Sequence, residues 1–164
     1  MSADAVHAGY PPASFYFTVD IVDQGTSGDT SFQEVQGLQA ERDMLEIKEG
    51  GENRYSHRLP ERAKYGNLVL KRGVLLPTSG FGSWCKGVME SNFDTVITPT
   101  TVLLSLLDAQ ANPLLSWNFV GAWPVKWSVA DLGAEKNELA IETMELAYRY
   151  FVKVPGKPAV VPAA

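Results

Sequence analysis

The sequence predicts a mainly β protein in which one helix packs on a sheet, and three features carry that prediction. Residues Ser14–Val22 alternate cleanly, with Phe15, Phe17, Val19 and Ile21 on one side and Tyr16, Thr18 and Asp20 on the other. Helical spacing is convincing only at Phe81, Trp84, Cys85, Val88 and Met89, which fall at i, i+3, i+4, i+7 and i+8 and so share a face. Within Glu138–Val154 the apolar phase flips. Leu139 and Ile141 occupy odd positions, while Met144, Leu146, Tyr148, Tyr150 and Val152 occupy even ones. A flip of that kind implies a bulge or a corner between two sheets. A helix competes for the same stretch, because Leu139, Glu142, Met144, Glu145 and Leu146 are good helix formers.

Taken in order, residues 1–13 are small, polar and Pro-containing and read as a flexible arm. The strand at 14–22 leads into the Gly/Ser/Thr/Asp turn of 23–30, and 31–38 reads as its hairpin partner. Residues 41–64 carry six acidic and six basic side chains in an order. Glu41, Asp43, Glu46, Glu49 and Glu52 dominate the first half; Arg54, Arg58, Arg62 and Lys64 dominate the second. Met44–Lys48 and Arg54–Leu59 can pair across a Gly50–Gly51 turn. The arm so formed, about 40–63, has little apolar cover and must lie on something else.

Leu68–Leu70 is a strand bracketed by Gly66 and Gly73. Pro77 ends that ladder, and Ser79 can cap the helix that follows. Gly80, Gly82 and Gly87 each weaken this helix by about 1 kcal/mol relative to Ala, so packing of its aromatic face must hold it. Thr101–Leu107 is apolar on both faces, as a central strand is. After a turn at 108–113, Leu114–Val120 is the next strand, with Leu115, Trp117 and Phe119 on one face. Trp123-Pro124 ends or bends it, and Val125–Trp127 continues extended. The tail, 155–164, has no core-forming pattern.

With 164 residues the chain forms one domain, taken as 14–154. Its net charge of −5 gives no electrostatic case for sequence-specific nucleic-acid binding. No apolar run approaches the roughly 20 residues that span a bilayer, so no membrane insertion is expected. No secretory signal pattern opens the chain, which is expected to be soluble and made in the cytoplasm. A lone cysteine, Cys85, excludes an internal disulfide framework and sits on the apolar helix face as a buried small hydrophobe.

Catalytic constellations are missing from the pattern. His7 and His57 are far apart, and His57 sits among Arg54, Tyr55 and Arg58. Gly80-Phe81-Gly82-Ser83 lacks the lysine of a phosphate loop. Glu46, Glu49 and Glu52 do not follow a calcium-loop pattern. No catalysis, metal or cofactor is expected. Lys71-Arg72-Gly73 is either a small basic site or the charged end of a strand. Trp84, Trp117, Trp123 and Trp127 either line a ligand cavity or divide between core and subunit interface.

An ordered set of motifs points further. Tyr10-Pro11, Phe15, Phe17 and Val19 are followed by Phe32-Gln33-Glu34-Val35-Gln36-Gly37-Leu38 and by Ile47-Lys48-Glu49-Gly50-Gly51. Then come Leu70-Lys71-Arg72-Gly73-Val74, Trp84, the run Trp117 to Lys126 containing Trp123-Pro124, and the run Glu138 to Ala147. Over about Tyr10–Val154 this resembles the tail tube protein family of contractile phages and phage-tail-like contractile injection systems.

The resemblance implies two antiparallel sheets packed as a small sandwich or barrel with one flanking helix. It implies hexameric rings stacked head-to-tail into a tube whose lumen conducts cargo, and a surrounding sheath whose contraction drives the tube through a target envelope. Baseplate, spike or tube-initiator proteins are the further partners it implies, with assembly in the bacterial cytoplasm and later residence in the particle, including one released outside the cell. It places the arm on a neighbouring subunit or ring, with Glu41, Asp43, Glu46, Lys48, Glu49, Arg54, His57, Arg58 and Arg62 as interface residues. Lys71, Arg72, Gly73, Trp84, Trp117, Trp123 and Pro124 are its structural motif positions, and Phe15, Phe17, Trp84, Trp117, Leu139 and Ile141 its core. A tube-initiator subunit joining tube to spike is the alternative within the family; a monomeric ligand-binding β-barrel is the alternative outside it.

Overall fold

A computed structural model describes residues 16–22, 26–29, 32–47, 50–51, 55–73, 80–91, 96–108, 110–130 and 140–155. They form ten strands and one helix. In chain order these are β1 (Tyr16–Ile21), β2 (Thr26–Asp29), β3 (Phe32–Gln36), β4 (Ala40–Ile47), β5 (His57–Tyr65), β6 (Leu68–Gly73), α1 (Gly80–Glu90), β7 (Thr100–Leu107), β8 (Pro113–Val129), β9 (Ile141–Ala147) and β10 (Tyr150–Pro155).

The fold is built on one long hairpin. β8 runs for 17 residues, and β9 followed by β10 lies antiparallel along one of its edges, from Val129↔Glu142 to Leu115↔Pro155. The first half of β8 carries β7, β1 and β2 on its other edge. At the second half, β9 carries β6 and then β3. Two layers result, joined by strands they share.

The corner between the layers has an identifiable cause. Gly121 sits at φ +65°, a conformation that suits glycine, and a Cβ there would stand 3.1 Å from Cδ of the Arg149 side chain. Opposite, the Arg149 amide bonds the Val120 carbonyl at 3.0 Å as β9 gives way to β10. The phase flip expected between Ile141 and Met144 is not this corner: β9 keeps one phase from Ile141 to Ala147, the chain turns later, at Tyr148-Arg149, and 141–147 is strand rather than helix. The inward row of β9 is Glu142, Met144 and Leu146, so Ile141, expected in the core, is instead 37% exposed on the outer face. Leu139 and Phe15 lie outside the described residues.

The two layers close on one core. Val19, Ile21, Val102, Leu104 and Phe119 come from one layer, Leu68, Leu70, Met144 and Leu146 from the other, and Phe32 and α1 complete it. From α1 come Phe81, Trp84 and Cys85; Phe81 meets the Phe32 ring edge-on at 5.3 Å. Phe17 and Trp117 pack against this core partly buried. Met89, expected on the same helix face, is exposed. β7 is buried on both faces from Thr100 to Ser105, as a central strand should be.

A second correction concerns the first hairpin. β1 turns back within the stretch read as a turn and pairs there with β2, Val19 opposite Asp29. β3 crosses to the other layer and pairs with β6. The strand content of 31–38 was legible; its partner was not, because period-2 patterning carries no information on pairing.

Candidate functional site

Three surfaces stand out once the fold is in place. The first is the arm. Among the described residues β4 and β5 pair only with each other and form a separate two-stranded sheet. Eight residues of β4 extend about 26 Å at the usual strand rise. Its base is fixed by Tyr65, whose ring packs on Tyr148 at 5.9 Å and Phe151 at 5.6 Å.

The register explains the charge order of the arm. Glu41 lies opposite Lys64, and Glu46 opposite Arg58, so acidic-then-basic composition produces opposite-charge pairs across the hairpin. Asp43 pairs with Lys64, which raises the lysine's affinity for its proton, and Glu46 accepts from the Ser56 hydroxyl. Arg42 Nη1 donates to the Glu61 carbonyl at 3.1 Å. Glu41, Glu46, His57, Arg58 and Arg62 are exposed, and Asp43 is half-buried. Lys48, Glu49 and Arg54 lie outside the described residues.

The same register reveals an apolar face. Leu45 lies opposite Leu59, and Ile47 opposite His57, so these side chains project to one side. Tyr55 joins them, edge-on to the His57 ring at 5.3 Å. Leu45 is 49% exposed, Leu59 48% and Tyr55 60%. The signal for this face was present as Leu45-x-Ile47 and Tyr55-x-His57-x-Leu59, hidden beneath the charges between them.

The second surface is the wall formed by β3, β6, β9 and the second half of β8, in that order. Every neighbouring pair is antiparallel. Among the described residues β3 pairs only with β6, and β8 beyond Ala122 pairs only with β9, so the wall has a free edge on each side. Its outer face carries two ion pairs beside Val69, Ile141 and Trp123. Lys71 Nζ lies 2.9 Å from Glu34 and Lys126 Nζ 3.2 Å from Glu145. The Lys71 contact holds the Glu34 carboxyl below its usual range.

The third is a buried polar chain inside the wall. Arg72 Nε donates to Glu142 Oε2 at 2.7 Å, and the guanidinium lies 5.4 Å from the centre of the Phe32 ring. Glu142 Oε1 accepts from the indole N–H of Trp127. Arg72 and Glu142 are both buried, while Trp127 is 51% exposed. Lys71-Arg72-Gly73 is therefore no open basic site. Lys71 faces outward to Glu34, Arg72 faces inward to Glu142, and Gly73 ends β6 opposite Ile141. Glu142 was not singled out from the sequence, although it shares the parity of Met144 and Leu146, a charge in an apolar row.

The tryptophans divide between interior and surface. Trp84 and Pro124 are buried, Trp117 packs against the core, and Trp123 and Trp127 are exposed. A groove of about 360 Å³ runs between α1 and residues 96–98, beside Trp84 and Val88; none of its lining side chains is titratable. Among the described residues no group of three or more His, Cys, Asp or Glu could hold a metal ion, and no helix is long and apolar enough to cross a membrane.

A sequence model of the T4-like virus tail tube protein gp19 family matches residues 13–152. The chain belongs to that family. As a tail tube protein it is a structural tube subunit, and the two-layered β fold with one helix is the fold of its solved relatives. A chain in the cryo-EM structure of the anti-feeding prophage baseplate, 6-fold symmetrised, is 28% identical; the match covers 89% of this tail tube protein and 97% of that chain, with a TM-score of 0.77. The sheath-tube complex of an extracellular contractile injection system, PVC, in the extended state, contains a chain 20% identical over 94% of this protein and 99% of that chain, TM-score 0.77. The tube-terminating cap of the anti-feeding prophage contains one 21% identical over 95% and 99%, TM-score 0.75. No curated protein sequence matches this tail tube protein.

Proposed function

We propose that this protein builds the inner tube of a contractile injection system or phage tail as stacked hexameric rings, in which the four-stranded wall closes head-to-tail into a continuous barrel. The observation that carries this reading is the wall itself. It has a free edge on both sides and an even number of alternating antiparallel strands. β3 and β8 therefore run in opposite directions, and a head-to-tail neighbour sets its β3 antiparallel to this chain's β8. A wall of this kind repeats without a break in alternation, and closure removes edges that would otherwise pair indiscriminately. The compensated charges of its outer face then meet the water of the lumen.

The arm supplies the second contact in this reading. Its apolar face is covered by a neighbouring copy, and its charges are already matched across the hairpin. The tube has no catalytic step: its work is mechanical, driven by a sheath and seated on a baseplate, with cargo in the lumen. The protein assembles in the bacterial cytoplasm and then resides in the particle.

Negative-stain electron microscopy of the purified chain across a concentration series tests the reading. Six-fold rings or tubes that grow with concentration are expected. A monomer at every concentration, including with baseplate present as nucleus, would overturn it.

A further inference from the structure

The free edge of β8 carries more than backbone. Trp127 lies opposite Met144 and so projects to the core side of the wall, yet half its surface is open because the wall ends there. Its ring is not free to turn away. The indole N–H is held by Glu142, and Glu142 is held by the buried Arg72 guanidinium. An aromatic side chain that is exposed but fixed has already lost the rotamer freedom that binding would cost it, which is the usual character of an interface anchor. At the opposite edge, Phe32 and Val35 of β3 also face the core side, Phe32 buried and Val35 half-buried.

The outer face supplies a second, independent observation. Across the wall the charges alternate in sign in two adjacent rows: Glu34 on β3 faces Lys71 on β6, which lies opposite Thr143, and two residues along Glu145 on β9 faces Lys126 on β8, in the row that reaches β3 at Gln36. The sequence begins with an acid and ends with a base. Lys126 is 61% exposed in its side chain despite its contact with Glu145, and Glu34 46% despite Lys71. A second copy placed with its β3 against this β8, shifted by two residues from the row of Gln36, brings Glu34 of that copy beside Lys126.

We propose that the contact between copies is anchored at Trp127, with Lys126 facing Glu34 of the second copy, and that Arg72 and Glu142 are positioning residues for that contact. The assignment rests on the ring reading above and adds the residues that make it. On the core side, Trp127 covers the end of the second copy's Phe32–Gln36 strand. On the outer side, Lys126 and Glu34 fix the register and exclude the edge-to-edge pairing of two like strands, β8 on β8 or β3 on β3.

The test is a cross-link that cannot form within one chain. Lys126 and Glu34 are separated by two intervening strands, so their strands stand about 14 Å apart, beyond disulfide reach. Lys126→Cys is combined with Glu34→Cys, and separately with Gln36→Cys, the next outward position, to cover a two-residue shift. Cys85 is buried and stays in place. Oxidation, or a short bis-maleimide, is applied to assembled particles, and denaturing gels are run without reductant. A covalent ladder ending at six chains is expected. Particles that assemble but yield no ladder with either pair overturn the inference and leave the ring reading standing. Wild-type protein that forms no rings overturns both.

Trp127→Ala provides the second arm. It should raise the concentration at half-assembly at least about tenfold while leaving the far-ultraviolet spectrum unchanged. A Trp127→Ala protein that assembles at wild-type concentration removes the anchor from the proposal. Glu142→Gln separates positioning from packing: it should weaken assembly and increase the rotational freedom of Trp127, read as fluorescence anisotropy decay. Unchanged anisotropy would remove the positioning role.

Discussion

Arg72 and Glu142 form a 2.7 Å ion pair between β6 and β9, buried at the edge of the apolar core. Both are buried, and Glu142 uses its second oxygen for the Trp127 indole. Removing one partner takes a buried opposite charge away from the other, which costs about 3–5 kcal/mol. Arg72→Met or Glu142→Leu alone should therefore lower the melting temperature by about 6–20 °C. The double variant should recover much of that loss, because apolar replacements of similar volume avoid the desolvation of both charges. Thermal unfolding of the two singles and the double checks this; a double variant no more stable than either single would contradict it.

Gly37 is fixed by the close approach of another strand. A Cβ built there would stand 1.9 Å from the carbonyl oxygen of Asn67, and the residue's φ is +89°. Both facts demand glycine at the turn from β3 into the arm. Gly37→Ala should destabilise by more than about 1 kcal/mol, measured by urea unfolding, whereas Gly87→Ala, where a Cβ meets nothing within 4 Å, should be neutral or slightly stabilising.

Much of this was legible from residue pattern, and the limits have physical causes. α1 followed from one apolar stripe, and the central position of β7 from apolar residues on both faces. The corner at Tyr148-Arg149 did not follow: the change of phase read between Ile141 and Met144 is only an outward Ile141 at the start of β9, whose parity is unbroken to Ala147. Pairing did not follow. β1 closes with β2 rather than β3, and nothing in the alternation of Phe32–Gln36 distinguishes the two outcomes. Side-chain partners 70 residues apart, such as Arg72 and Glu142, were out of reach for the same reason. In the arm, charge dominated the reading of residues 41–64, so the apolar row of Leu45, Ile47, Tyr55 and Leu59 went unremarked.

Cys85 should be inert in the folded protein. Burial pushes its thiol from the ordinary 9.0 up to about 12. At pH 8 the reactive thiolate is then scarce, and an aromatic disulfide reagent should react with native protein far more slowly than with protein in denaturant. The sign of the pH dependence follows. The folded state keeps this proton while the unfolded state releases it above about pH 9, so stability is complete below that pH and declines as pH rises toward 12. Burial raises the Tyr148 hydroxyl in the same direction. Urea midpoints should fall between pH 9 and 11, and Cys85→Ala should flatten part of that fall.

The arm offers a separation of folding from assembly. Among the described residues it pairs with no strand of the sandwich, and Tyr65 at its base packs on the core aromatics Tyr148 and Phe151. Replacing 41–64 by a short Gly-containing loop, with Tyr65 retained, should leave a folded monomer and abolish stacking; tubes of normal length from that variant would remove the arm from the assembly. Point variants distinguish its two faces. Leu45→Asp with Leu59→Asp places charges on the apolar face and should prevent tube growth, since each carboxylate must be desolvated when a neighbouring copy covers it. Glu46→Gln with Arg58→Gln removes a cross-strand pair that lies in water and should change assembly little. Sedimentation and electron microscopy at matched ionic strength read both. If the neutral pair disrupts tubes while the aspartates do not, the charged face makes the contact and the apolar face does not.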